Sequence, residues 1–392
     1  MKKMLSLILA LLLAMSLVAC GGNNSGASNG SAGGTQELPK VNFWATGSQN
    51  VSDAFTAAIA AYNAKEGRAA DVELQFVLSG SGDATLSSRL AAAYLSGKTD
   101  TGFDIIAENG SSLLSYADEA GSEDVFLDID TSKLSNYSNI KLHPSVMSSK
   151  LIPYRGTTVV MAYDSAKVPN PPQTWDELTA WIKANDGRFA YNTPDSGGAG
   201  SAFAYNAIYR FIDDPAARMS NDPKYTDQYD KGFDWLAEIH PYIYKSGGHV
   251  QYPVKNQGAL DLLGSGEIWI TPAWADGTLS ALEAGTLPQT VKMYQLSDGA
   301  LTGTDVDIAI PSIGSNVDAC YDVINFMISV EGQQILVDTM KAVPVIDSSL
   351  LEQTDSVKAV SALNPSAFQF MSIGDLGTII KARWTEQIAT LG

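Results

Sequence analysis

The sequence predicts an α/β protein built from two domains. The chain has 392 residues, and a typical ~100–200 residues per domain makes two domains the expectation. Hydrophobic residues make up 45% of the chain and charged residues 17%, a composition typical of globular proteins. Strand and helix patterns alternate in the first part of the body, and repeated β-α-β units imply a parallel, doubly wound sheet.

Three strand patterns, each followed by a helix pattern, carry this prediction. Apolar or alternating runs predict strands at 41–45, 72–78 and 103–107. Apolar residues at helical spacing predict helices at 52–66 and 83–96, and a third helix that ends at Ala120. Gly67 and Gly97 directly follow the first two helices, where glycine commonly ends a helix.

A different block of helices and strands follows a predicted strand near 153–163. The run Thr174-Trp175-Asp176-Glu177 is a capping box, which predicts the start of a helix. Further helices are predicted at 201–212, 228–239, 256–263, 277–284, 318–329, 333–340 and 376–388. Further strands are predicted at 189–191, 268–271, 291–296 and 306–310. Because no second linker separates the domains, we expect strands that cross between them near 153–165 and 297–311.

The N-terminus has the pattern of a secretory signal. Lys2 and Lys3 precede an apolar run, Met4–Val18, whose 15 residues are fewer than the ~20 that a membrane-spanning helix needs. The run ends in Leu17-Val18-Ala19-Cys20, which resembles the lipobox of bacterial lipoproteins. That resemblance implies cleavage after residue 19 and acylation of the Cys20 thiol. An ordinary signal peptide with a chance cysteine is the alternative.

The residues after Cys20 predict a flexible tether. Residues 21–35 contain six Gly, three Asn and three Ser with no charge, a composition that has nothing to bury. We therefore expect a lipidated cysteine and tether over 20–39 and a folded body that begins near residue 40. The localisation that follows is the extracytoplasmic face of the cell membrane, through a lipid anchor on Cys20.

Composition and motifs argue against several classes of function. A formal net charge of −18 disfavours nucleic-acid binding, which needs clustered Lys and Arg. The hydrolase pattern G-x-S-x-G occurs at 26–30, inside the tether, where no strand and helix can hold it. A phosphate-binding loop ending at 97–99 would need a glycine where Ala92 stands. The three histidines are scattered, so we expect no metal site, no cofactor and no catalytic residues.

Several segments together resemble the extracellular solute-binding proteins of bacterial ABC importers. They are Tyr163–Val168, Pro171–Leu178, Gly187–Phe189, Gly264–Ile268, Val323–Ser329 and Glu331–Gln333. The most specific piece is the run Pro-Gln-Thr-Trp-Asp-Glu-Leu within the second segment. The pattern is similar to the branch that holds thiamine-, polyamine- and iron-binding members.

The resemblance implies a two-lobe periplasmic-binding-protein fold (type II, or Venus flytrap) with a hinge of crossing strands. Lobe 1 would hold 40–153 with part of 305–350, lobe 2 would hold 164–300, and 351–392 would form a C-terminal helical segment. The implied function is capture of a small solute between the lobes and its delivery to an ABC permease and its ATPase. We expect a monomer.

The ligand site is predicted from strand ends. In open α/β sheets, ligands bind beyond the carboxyl ends of strands, near helix N-termini. The candidates in lobe 1 are Trp44, Ser48, Gly80, Ser81, Gly82, Glu108 and Asn109. The candidates in lobe 2 are Tyr191, Asn192, Trp274 and Asp276.

These candidates favour a small organic cation such as a thiamine-like or polyamine ligand. An indole beside a carboxylate suits a cation, and no Lys or Arg stands at those strand ends. A sugar is the second choice, and a ferric ligand or a phosphonate also remains open. A lipoprotein enzyme of unknown class, and an adhesion or sensory module that has lost transport, are the alternatives to a transport function.

Overall fold

The computed structural model describes residues 37–78, 85–363 and 369–391. The predicted lipidation site Cys20 and the predicted ligand contacts Gly80, Ser81 and Gly82 lie outside the described residues. None of the helices in the described ranges is long and apolar enough to cross a membrane.

The first half of the chain forms alternating strands and helices and then one long strand. The elements are β1 (Lys40–Gly47), α1 (Gln49–Asn63), β2 (Asp71–Leu78), α2 (Leu86–Leu95), β3 (Ile105–Asn109), α3 (Gly110–Ala120) and β4 (Ile152–Asp164). The predicted strands and helices of this half are therefore confirmed, with ends that differ by a few residues.

The second half is mostly helical. Its elements are α4 (Trp175–Ala184), α5 (Gly198–Tyr209), α6 (Asp230–Ile239), β5 (Lys245–Ser246), β6 (His249–Val250), α7 (Lys255–Gly264), β7 (Ile270–Trp274), α8 (Ala275–Glu283), β8 (Val291–Tyr294), β9 (Gly303–Ala309), α9 (Val317–Met327), α10 (Val330–Met340), α11 (Asp355–Ser361) and α12 (Leu376–Gln387). The predicted strand at 189–191 is wrong, because only Phe189 forms isolated bridges there, to Ile243 and Ile270.

The capping box predicted at Thr174 is confirmed with one difference. The Thr174 hydroxyl accepts a hydrogen bond from the Glu177 backbone N–H at 3.1 Å, which caps α4. The Glu177 carboxylate accepts the backbone N–H of Gln173 at 2.7 Å, one residue earlier than in the standard box.

Seven strands of the described chain form one mixed sheet in the order β2-β1-β3-β9-β4-β7, with β8 also paired to β4. β1 is parallel to β2 and to β3, as the repeated β-α-β pattern predicts. The pairs that involve β9 and β4 are antiparallel. The sequence predicts a parallel sheet, and this prediction is correct only for β1, β2 and β3. The strand β9 lies between β3 and β4 and runs antiparallel to both.

The strand β4 takes part in two regions of the sheet. Its first part pairs with β9, from Ile152 opposite Ile308 to Thr158 opposite Gly303. Its second part, from Val159 onward, pairs with β7 and β8. One strand of 13 residues therefore connects two regions of sheet.

Two large hydrophobic cores lie on either side of this connection. The first contains Phe55 of α1, Tyr154 of β4 and Val360 of α11. The second contains Phe203 of α5 and Trp384 of α12. The C-terminal residues therefore divide between the two cores, with α11 in the first and α12 in the second.

Candidate functional site

A pocket of about 240 Å³ lies between α3 and α5. Asn109, Ser111 and Ser112 line it from one side, and Tyr205 and Trp274 line it from the other. Thr302 and Thr304 of the β9 region also line it, and so do Met371, Ile373, Gly374 and Gly377 near the C-terminus. Of the residues predicted from strand ends, the structure brings Asn109 and Trp274 together here.

The lobe 1 wall is formed where β3 ends and α3 begins. Asn109 is the N-cap residue of α3, but its side chain makes no capping hydrogen bond. The next residue is Gly110, where a Cβ would lie 2.7 Å from a carboxylate oxygen of Asp307 and 3.2 Å from one of Asp305. This close approach sets the start of α3 beside β9, and Ser111 and Ser112 of the first turn line the pocket.

The lobe 2 wall is formed by Trp274 and the start of α5. Trp274 is the last residue of β7 and is half-buried. A Cβ at Gly198 would lie 2.9 Å from the indole, so this glycine allows the first turn of α5 to lie against the ring. The indole is therefore held in place by backbone while it lines the pocket.

Asp276 is not among the residues that line this pocket. It lies buried in the first turn of α8, where its Oδ2 is 3.5 Å from Nη1 of Arg155. The Thr157 hydroxyl donates to its other oxygen at 3.2 Å. The expectation that no Lys or Arg lies near these strand ends is corrected, because the crossing strand β4 supplies Arg155.

Glu108 and Asp307 lie behind the lobe 1 wall, and the pKa values of both carboxyl groups are raised. Burial raises the pKa of Glu108, an effect offset in part by the Asn109 backbone N–H and by Arg155. The Thr46 hydroxyl also donates to Glu108. Burial and the neighbouring Asp305 raise the pKa of Asp307 well above its ordinary value. Neither carboxylate oxygen of Asp307 has a hydrogen-bond partner within the described ranges.

Tyr191 and Asn192 are not brought to the pocket. Tyr191 is fully buried in the second core, and its hydroxyl accepts a hydrogen bond from Trp384 Nε1 at 2.9 Å. Asn192 is also fully buried, and its amide donates to the backbone carbonyls of Thr193 and Gly197. Both residues therefore hold the second lobe together rather than line its surface.

Trp44 and Ser48 make their contacts away from the pocket. The Trp44 indole donates to the Gly102 carbonyl at 2.7 Å and packs on Phe103, with the Arg89 guanidinium 4.7 Å from its ring centre. Ser48 is the exposed N-cap residue of α1, and its hydroxyl bonds to the Asn50 side chain. Neither lines the pocket.

The sequence reasoning missed the hydroxyl groups that dominate the pocket. Ser111, Ser112 and Ser115 lie on the first turns of α3, and Ser201 and Tyr205 lie on α5. A signal was available for the first three, because they follow the predicted contact Asn109. No local signal identifies Arg155, whose partner is 121 positions away.

Within the described ranges, no group of three or more His, Cys, Asp or Glu side chains is placed to hold a metal ion. The arrangement is instead a concave space between two lobes with polar and aromatic walls, which suits reversible binding of a small molecule.

Comparison with known proteins identifies a family that matches this chain. The family model described as bacterial extracellular solute-binding protein matches residues 57–365. Among curated proteins, the chain is 26% identical over 185 residues to Protein YnjB of Escherichia coli strain K12. That alignment covers 46% of this chain and 46% of YnjB, so it spans about half the length of the curated relative.

Solved structures share the fold over most of the chain. The GacH receptor of Streptomyces glaucescens aligns with a TM-score of 0.67 at 14% identity, covering 90% of this chain and 94% of the receptor. The spermidine/putrescine ABC transporter substrate-binding protein PotD of Streptococcus pneumoniae aligns with a TM-score of 0.65 at 16% identity, covering 90% and 98%. The likeness confirms the fold class predicted from the sequence, two α/β lobes joined by crossing strands.

Proposed function

Because this chain belongs to the bacterial extracellular solute-binding proteins, we propose that it captures a small solute between its lobes and delivers it to an ABC permease and its ATPase. The observation that carries the proposal is the pocket between α3 and α5, whose walls come from both lobes. The family and the fold relatives are binding proteins rather than enzymes.

The proposed mechanism is closure of the lobes on the solute. The strands β4 and β9 connect the two lobes, and a rotation about such crossing strands changes the width of the pocket. A solute that binds the closed form more tightly shifts the population toward that form. Asn109 and Trp274 are the sequence-predicted contacts that this proposal retains as opposing walls.

Solution scattering together with thermal unfolding tests the proposal. Saturating solute should reduce the radius of gyration, because the lobes close, and should raise the melting temperature by mass action. Identical scattering with and without a solute that raises the melting temperature would contradict the closing mechanism. Permease and ATPase genes beside this gene would favour transport over an adhesion or sensory role.

We also propose that the protein is a monomeric lipoprotein held at the extracytoplasmic face of the cell membrane. The sequence supports this through the apolar run that ends at Cys20 and the uncharged residues 21–35 behind it. Such a tether keeps the folded body close to the membrane, where a permease would receive the solute.

The ligand class depends on the charges around the pocket. One fold relative is named for spermidine and putrescine, and another was solved in complex with acarbose. A cation, as predicted from the strand-end carboxylates, and a sugar-like solute are therefore both represented among proteins of this fold. The pairing of Asp276 with Arg155 removes one of the carboxylates on which the cation prediction depended.

A further inference from the structure

The described part of the pocket lining between α3 and α5 carries no charged side chain. Among the described residues that line it there is no Asp, Glu, Lys, Arg or His. An ionised group enclosed away from water needs an opposite charge or several hydrogen bonds, because the loss of hydration otherwise costs several kcal/mol. The lining therefore disfavours both cations and anions.

Two carboxylates near the pocket are already compensated within the protein, whereas the buried Asp307 behind Gly110 has no hydrogen-bond partner within the described ranges. Asp276 pairs with Arg155 and accepts the Thr157 hydroxyl. Glu108 accepts the Thr46 hydroxyl and the Asn109 backbone N–H. A cation that entered the pocket would have to compete with these partners.

Four of the hydroxyl groups that line the pocket already donate their protons within the protein. Ser115 donates to the Ser111 carbonyl at 3.1 Å, and Thr304 donates to the Asp305 carbonyl at 2.8 Å. Ser201 and Tyr205 likewise donate to backbone carbonyls, those of Pro194 and Gly377. Once a hydroxyl has used its proton in this way, its lone pairs remain for a ligand. A solute that bonds to these four oxygens therefore brings its own O–H or N–H donors.

The remaining features set the shape and size of the solute. The Trp274 indole offers a flat apolar face, and Gly198 lies close against the ring. The volume of about 240 Å³ lies below the usual range of roughly 300–1,000 Å³ for ligand pockets. A ring-sized molecule fits this space better than an oligomer.

We infer that the solute is an uncharged, hydroxyl-rich molecule of about monosaccharide size, held with one face on Trp274 and its hydroxyls on the α3 and α5 side chains. This inference rests on the proposed function, since it names the ligand class of the same cleft. It differs from the cation that the sequence alone favours.

A ligand panel tests the inference on the mature chain. The probes are neutral monosaccharides and polyols, spermidine, thiamine, ferric citrate and a phosphonate, each measured by thermal shift, calorimetry and solution scattering. A neutral polyol or monosaccharide should bind and close the lobes, with an affinity that changes less than about twofold between low and high salt, because screening acts on charge. A charged probe that closes the lobes with strongly salt-dependent affinity would overturn the ligand class and leave the proposed function intact. If no probe or co-purified solute closes the lobes, the proposed function itself fails.

Variants connect the ligand class to the assigned residues. Trp274→Ala should weaken binding of the neutral solute at least tenfold, because it removes the apolar face. Gly198→Ala removes no functional group but places a methyl 2.9 Å from the indole, so it should also weaken binding. Trp269→Ala is the matched control, since this half-buried indole of the same lobe lies outside the lining. Equal affinities in the Trp274→Ala, Gly198→Ala and control variants, with unchanged circular dichroism, would overturn the residue assignment.

Discussion

The Asp276 carboxylate and the Arg155 guanidinium form a buried ion pair, with Oδ2 3.5 Å from Nη1. The two residues are 121 positions apart, one in the first turn of α8 and the other on the crossing strand β4. Neither side chain exposes more than 10% of its surface. The pair therefore attaches the N-terminus of α8 to the strand that links the lobes.

Removal of one partner of this pair should be costly. Asp276→Asn removes the ion-pair partner of the buried Arg155, and breaking a buried pair in this way typically costs about 3–5 kcal/mol. Urea unfolding measures the loss directly. The double variant Arg155→Met with Asp276→Leu should recover much of it, because neither charge then remains buried.

The surface pair Lys183–Glu238 is the matched control. Its side chains expose 39% and 48% of their surface, so Lys183→Ala should cost less than about 1 kcal/mol. An Asp276→Asn variant as stable as this control would show that the Arg155 pair makes no net contribution.

Gln333 should be nearly irreplaceable for stability. Its amide donates at 2.8 Å to the carbonyls of Tyr154 and Met327, and its oxygen accepts the Val345 backbone N–H at 2.8 Å. Tyr154 lies where β4 shifts its register against β9, so Gln333 completes the hydrogen bonding of an irregular point in the strand. Gln333→Leu leaves these buried groups without partners, at a cost of about 1–3 kcal/mol each.

Chemical denaturation compares Gln333→Leu with Gln257→Leu. Gln257 is exposed on α7 and bonds only to Asp261 within the described chain, so its loss should change the unfolding free energy by less than about 0.5 kcal/mol. If the two variants unfold at the same urea concentration, the buried network of Gln333 has no energetic role.

Asp307 should make the protein less stable as the pH rises. Its pKa is raised in the folded state by burial and by Asp305, so the folded chain binds this proton more tightly than the unfolded chain. Below an ordinary pKa of ~3.9 both states are protonated and the group has no effect on stability. Above it, stability falls until the pH passes the raised pKa.

Asp307→Asn keeps a neutral side chain at every pH, so it should raise the melting temperature near neutral pH and have little effect near pH 4. Melting curves from pH 4 to pH 8 measure the difference. Asp118→Asn, an exposed carboxylate of α3, is the control. A wild type that gains stability relative to Asp307→Asn as the pH rises would reverse the predicted sign.

Cys20→Ser should abolish lipid attachment and release the mature protein from the membrane fraction. The reason is that the acyl chain would be carried by the Cys20 thiol, and one or two such chains supply the membrane affinity. Labelling with a palmitate analogue and fractionation measure the two effects. A Ser variant that stays in the membrane fraction under mild extraction would show that Cys20 is not the anchor.

Local patterns allowed much of the fold to be predicted from the sequence. The Thr174 cap, the three parallel strands and most helices depend on residues within a few positions of one another, and such short-range patterns are visible in sequence. The crossing strand was also predicted near 153–163, and it spans Ile152–Asp164 in the structure.

The candidate site depends more on distant contacts, so less of it could be predicted. Asn109 and Trp274 follow from strand ends, but Tyr191 is covered by Trp384, which lies 193 positions later. The charge of Asp276 is compensated by Arg155 from another strand. A strand-end rule cannot detect either contact, because both depend on which segments meet in the folded chain.

Neither hydrophobic core is made from one unbroken stretch of chain. The first combines parts of 41–154 and 306–360, and the second combines parts of 159–301 and 373–388. A gene fragment that ends after the first crossing strand therefore encodes no complete lobe. A fragment of 159–301 alone would lack Trp384, and the part of the second core around Tyr191 would be uncovered. To produce the second lobe in isolation, an engineer would have to splice α12 onto its end with a new linker.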